Sequence, residues 1–131
     1  MTQRKTVTVT MMASQFEDGE VLLAEYPFTD HTSAKLRPVL VISQKQFNQG
    51  GDLVVLPISS RMAQDDPYGF AIPDTSPFFF ASGLRWASSV KWTKPMTISV
   101  GVIERRLGKL PKDVMAQIID KMLRMFHHAN A

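Results

Sequence analysis

Apolar residues fall into two regimes along the chain. Up to residue 104 they come in short, β-branched runs punctuated by Gly, Pro, Asn or Asp, and after Pro111 they recur every three or four positions. The runs "EVLLAEY" after Gly19, "PVLVIS" at 38–43, "DLVVLPISS" at 52–60, "GFAIP" at 69–73, "GLRWASSVKW" at 83–92 and "TISVGVIE" at 97–104 predict strands. Their close spacing predicts a small closed or nearly closed antiparallel barrel. Val114, Met115, Ile118, Ile119, Met122, Met125 and Phe126 predict one amphipathic helix over 111–126, with Pro111 in its first turn and Asp113 favourably placed against its dipole. The fold class is therefore mainly β with a C-terminal α-helix. "TVTVT" at 6–10 alternates as a strand does, so 1–15 reads as an extra edge strand or a leader, with Met11 or Met12 as alternative starts. The remainder, 16–127, reads as one domain.

Composition narrows the chemistry. A chain of 131 residues, 44% of them hydrophobic, supports one core and needs no second domain. Without cysteine there is no disulfide, no cysteine-ligated zinc and no thiol nucleophile. No run approaches the roughly 18 apolar residues of a membrane span, and the polar start lacks a signal-peptide core. A cytoplasmic protein with no membrane association is expected. The net charge of +3 is modest, but Thr75 to Ile103 contains no acidic residue while carrying Arg85, Lys91 and Lys94. That asymmetry predicts a positive patch and an anionic partner.

Signatures of nucleotide or metal enzymes are missing: there is no P-loop, no glycine-rich dinucleotide fingerprint and no zinc-binding histidine pair. His31, His127 and His128 are badly spaced for a shared metal, so neither metal nor cofactor is expected. Candidate chemistry rests on arginine and hydroxyls. Pro38 restricts the residue before it to extended geometry, which fixes the direction in which Arg37 leaves the loop. Five forked donors on a guanidinium suit a phosphate; a solvated strand-end arginine is the plainer reading. Ser59 and Ser60 end a strand just before Arg61. Taken alone they satisfy turn backbone, but meeting Arg37 at a barrel mouth they would form an anion site, with His31 as a proton carrier. If 83–92 is one strand, Trp86 and Trp92 share a face with Ser88, and Arg85 and Lys91 take the other. The tryptophans then belong to the core or a dimer interface. "PFFFA" at 77–81 fills core or covers a groove.

"GEVLLAEYPFT", "RPVLVIS", "FN" at 47–48, "VVLPISS" and "RLGKLPKDVMAQIIDKML" together resemble the PemK/MazF family of toxins from bacterial toxin–antitoxin systems, in order from about Gly19 to Phe126. The resemblance implies a small SH3-like or CcdB-like barrel with a C-terminal helix and a homodimer. It also implies metal-independent cleavage of single-stranded RNA, silencing by a cognate antitoxin, and contact with operator DNA only through that antitoxin. It makes Arg37, Ser59 and His31 the expected catalytic residues, with serine replacing the family's usual threonine. Ser60, Arg61, Arg85, Ser88 and Lys91 are expected to bind substrate. One family branch also uses an arginine and an aspartate on the later strand. Ser88 stands about where that aspartate would be, so only the simpler arginine-plus-hydroxyl scheme carries over. The rival expectations are a non-catalytic nucleic-acid-binding module and a gyrase-directed, protein-binding toxin on the same barrel.

Overall fold

A computed structural model describes residues 16–27, 34–61 and 66–126 of the chain. The 1–15 segment, His31 and the pair His127–His128 lie outside the described residues. In chain order the elements are β1 (Glu20–Pro27), β2 (Ala34–Val41), the one-turn helix α1 (Lys45–Asn48), β3 (Asp52–Ser59) and β4 (Gly69–Ile72). They continue with the one-turn helix α2 (Phe79–Ser82), β5 (Ser88–Lys91), β6 (Met96–Ser99), a 3-10 turn (Val100–Val102), β7 (Ile103–Lys109) and α3 (Lys112–Arg124). The strands form one antiparallel sheet in the order β4-β5-β3-β2-β1-β7, and β6 joins it along the first half of β3.

The strands read as continuous apolar runs because both faces of this sheet are covered. Leu22, Ala24, Val39, Val41, Leu53 and Val55 pack on one face with Phe16 and Ile98. Their strand neighbours Val21, Leu40, Leu56 and Ile58 pack on the other, beneath Val114, Met115 and Ile118 of α3. The terminal helix begins at Lys112 with Pro111 as its N-cap, and it ends at Arg124, inside the predicted span. Asp113 lies in its first turn and Lys121 and Arg124 in its last, each favourable against the helix dipole.

Three predicted strands have different bounds. β2 starts at Ala34, so Arg37 sits inside a strand opposite Ala24 and does not stand at a loop end. Of 83–92, only Ser88–Lys91 is a strand, because the preceding residues form turns. The run at 97–104 is broken by the 3-10 turn, where Ser99 Oγ accepts the Gly101 N–H at 3.1 Å. The chain then re-enters the sheet as β7, whose "IERRLGK" reads as a polar connection by composition alone.

Asn48 ties the start of the domain to the β2–β3 connection. It is fully buried, and its Nδ2 donates to the Phe16 carbonyl at 2.8 Å and the Ser43 carbonyl at 3.1 Å. Its Oδ1 accepts from Ser43 Oγ at 2.6 Å. Asn48→Ala strands these buried groups, and the expected loss is about 1–3 kcal/mol, read from the urea midpoint. A midpoint within about 0.5 kcal/mol of the parent would show that the bonds are replaced by water.

Candidate functional site

A fork between two strands opens a groove. β2 and β3 pair only from Val41↔Val55 to Val39↔Pro57. Past that point β2 stays with β1, through Pro38↔Leu23 and Arg37↔Ala24, while Ile58 and Ser59 of β3 pair with Val90 and Ser89 of β5. Pro38 and Pro57 stand at the fork, and neither has a backbone N–H with which to continue a ladder. A groove of about 580 Å³ occupies the space, lined on these sides by Arg37, Pro38, Ile58 and Ser60.

The opposite wall is the turn that follows α2. Gly83 caps that helix in the left-handed conformation, φ 73°, with its N–H donating to the Phe80 carbonyl at 3.2 Å. Ser82 Oγ donates to the Phe79 carbonyl at 2.5 Å and accepts the Leu84 N–H at 3.1 Å. Ser88 Oγ donates to the Trp86 carbonyl at 2.6 Å. A Cβ on Gly83 would lie 1.9 Å from the Leu107 carbonyl oxygen, and one on Gly108 would lie 2.2 Å from that of Ala81. Backbone therefore lies on backbone, which fixes Leu84, Arg85 and Trp86 against β7, and β7 adds Arg105 and Leu107 to the groove. For Gly83→Ala the left-handed conformation alone costs about 1–2 kcal/mol, and the overlap with Leu107 adds to it. Thermal unfolding should show a clear fall in midpoint, whereas Gly50→Ala, where a Cβ meets nothing within 4 Å, should not.

Among the described residues the charged lining of the groove is of one sign: Arg37, Arg85 and Arg105 line it and no described Asp or Glu does. Ser60 brings a hydroxyl to the same surface, and Ser88 lines it too, although Ser88 is 2% exposed and donates its proton to Trp86. Ser59 ends β3 outside the groove lining. Its Oγ accepts the Arg61 N–H at 3.1 Å, a turn contact that leaves the hydroxyl proton free to donate elsewhere. Arg61 is exposed and also outside the lining. Lys91 is engaged elsewhere: its ammonium binds the Asp66 carboxylate. That ammonium first, and then the Tyr68 N–H at 3.0 Å, hold the Asp66 carboxyl below the usual carboxylate range. A carboxylate thus does approach the 83–92 segment, from a part of the chain that sequence spacing does not reveal. Among the described residues no three His, Asp or Glu side chains come together as a metal site.

Two groove residues escape the sequence reading. Arg105 lies two positions beyond the acid-free window, and a register shift in the pairing of β7 with β1, where Ile103 pairs with Ala24 but Arg105 with Leu23, turns it away from the core that Ile103 joins, which sequence alternation does not reveal. Trp86 is the other. It does not enter the core but lines the groove at 66% exposure, because the turn at 83–87 cancels the strand alternation that paired it with Trp92. Trp92 does pack against the second core, edge-on to Tyr68 with ring centroids 6.0 Å apart. Within "PFFFA", Phe78 and Phe79 pack on that core while Phe80 is 95% exposed.

Known proteins agree with this architecture. A MazE–MazF crystal structure from Deinococcus radiodurans superposes with a TM-score of 0.68 at 21% identity, covering 85% of this chain and 95% of that one. The Mycobacterium tuberculosis toxin MazF-mt6 gives 0.63 at 19% identity, covering 82% and 95%. A mycobacterial endoribonuclease in complex with its cognate antitoxin gives 0.60 at 16% identity, covering 84% and 90%. No protein with a curated description matches the sequence. At these identities the structures establish the fold alone. The sequence itself matches one family model continuously over residues 17–126, from just before β1 to the end of α3, and so the chain belongs to the PemK-like, MazF-like toxins of type II toxin–antitoxin systems.

Proposed function

We propose that this toxin is a sequence-selective endoribonuclease that cuts single-stranded RNA without a metal ion. The observation that carries the reading is the convergence of Arg37, Arg85 and Arg105 on one groove beside the Ser60 hydroxyl, with no carboxylate among the described lining residues. Membership of a family of toxins that are generally endoribonucleases supports it. In the reaction, a ribose 2′-oxygen attacks its adjacent phosphorus and the bond to the 5′-oxygen breaks. The products are a 2′,3′-cyclic phosphate and a 5′-hydroxyl. One proton leaves the 2′-hydroxyl and one is delivered to the departing 5′-oxygen, with His31 the best-matched base by its intrinsic pKa. Arg37 compensates the charge that grows on the phosphoryl oxygens, and Ser59 or Ser60 donates a hydrogen bond to them. Arg85 and Arg105 hold flanking phosphates.

The same reading includes a homodimer, a cognate antitoxin as inhibitor, operator DNA reached only through that antitoxin, and a cytoplasmic setting. The MazE–MazF and endoribonuclease–antitoxin complexes among the structural relatives support the antitoxin. The deciding experiment incubates the purified chain with end-labelled single-stranded RNAs and identifies the new termini. Cyclic phosphate and 5′-hydroxyl ends are expected. Binding without cleavage of any RNA would leave the non-catalytic nucleic-acid-binding module as the better description.

A further inference from the structure

Trp86 is held in a way that storage of apolar surface does not require. We infer that its indole is the stacking platform for one unpaired base of the substrate, a purine in preference to a pyrimidine, next to the cleaved phosphate; this rests on the RNA-cleaving reading above. The ring is 66% exposed, yet its main chain is tied down: Ser88, itself 2% exposed, donates to the Trp86 carbonyl at 2.6 Å. On the N-terminal side, Gly83 seats the turn against the Leu107 backbone. An exposed ring on an anchored turn gains a ligand's contact without first losing much conformational freedom.

The surroundings match the chemistry of a nucleotide. Leu36 and Leu84 give apolar wall to the groove that Trp86 lines, while Arg37, Arg85 and Arg105 give it positive charge. Flat apolar surface among guanidinium groups is what a base with a π-face and an anionic backbone on either side calls for. A volume of about 580 Å³ lies inside the range of roughly 300–1,000 Å³ typical of sites that enclose small ligands. The preference for a purine follows from the larger overlap of a two-ring base with an indole.

Tryptophan fluorescence, excited where tyrosine does not absorb, tests this directly, because the chain has two tryptophans and Trp86→Phe leaves Trp92 as the sole tryptophan. The probe is an oligoribonucleotide carrying one deoxyribose at the cleavage position, together with a set in which each base in turn is removed. Quenching is expected in the unmodified protein and not in Trp86→Phe. One abasic position should abolish the quench and weaken binding by about 5- to 150-fold. Trp86→Ala should raise KM by a similar factor, and Trp86→Phe, which keeps an aromatic face, should recover most of it. Cleavage and binding by Trp86→Ala within about twofold of the parent would overturn the inference. So would a quench that survives every abasic substitution. An emission shift that follows protein concentration without RNA would also overturn it, by placing a second copy of the chain over the ring. Those outcomes leave RNA cleavage intact, whereas an unmodified protein that neither binds nor cuts RNA brings down both readings.

Discussion

Arg37→Ala is expected to slow RNA cleavage by about 100- to 1,000-fold, the usual cost of removing one donor aimed at transition-state charge. The fold should survive the change. Arg37 is only part-buried, and the pairing of β2 with β1 around it is main-chain hydrogen bonding that alanine keeps. The loss should therefore appear in kcat and in the disappearance of growth arrest, with the urea midpoint close to that of the parent. Arg85→Ala and Arg105→Ala provide the contrast. If they hold phosphates flanking the reacting one, each should mainly raise KM and reduce the slope of log affinity against log salt by about one. Near-parental cleavage by the Arg37→Ala protein would remove that residue from the mechanism.

Substituting deoxyribose at the cleaved position should stop the reaction entirely, while excess EDTA should leave it running. In the proposed reaction the attacking oxygen belongs to the substrate, so deleting the 2′-hydroxyl deletes the nucleophile. Phosphate charge and base identity hardly change, and the modified strand should bind nearly as well as RNA and inhibit competitively. In that reaction the guanidinium groups supply the positive charge that a metal supplies in metal-dependent nucleases. Cutting of the deoxy-substituted strand at a comparable rate would falsify transesterification, and abolition by EDTA would replace it with a metal-assisted route. Product analysis and initial rates with and without chelator check both.

Most of the sheet could be read from the sequence because its strands are apolar on both faces and end at Gly, Pro or Asp. α3 was equally legible from the spacing of Val114, Met115, Ile118 and Met122. What failed was alternation carried through a turn. Between Gly83 and Ser88 the hydroxyls of Ser82 and Ser88 bond to nearby backbone, so a segment with strand-like composition becomes a cap and a turn. Trp86 consequently faces the groove. The groove lining was legible where local chemistry marked it, at Arg37-Pro38 and at Ser60, although the neighbouring Ser59 falls outside it. It was illegible where tertiary pairing decided the outcome. Asp66 draws Lys91 away over a separation of 25 residues, and β7 brings Arg105 beside Leu23 only because it pairs with β1.

The pairing of β1 with β7, the first and last of the described strands, also governs when this molecule can exist. Glu20 on β1 bonds Arg106 on β7 at 2.5 Å across 86 residues of sequence, and the Leu110 N–H reaches the Gly19 carbonyl at 2.9 Å. Such distant contacts form only after the entropy of closing the intervening chain has been overcome, which makes folding late and slow. While the chain is still on the ribosome, β7 is the last strand to emerge, and until it does one edge of β1 is bare and Arg105 is missing from the groove. The groove therefore comes into being only once β7 has joined β1, and not while the earlier strands stand alone.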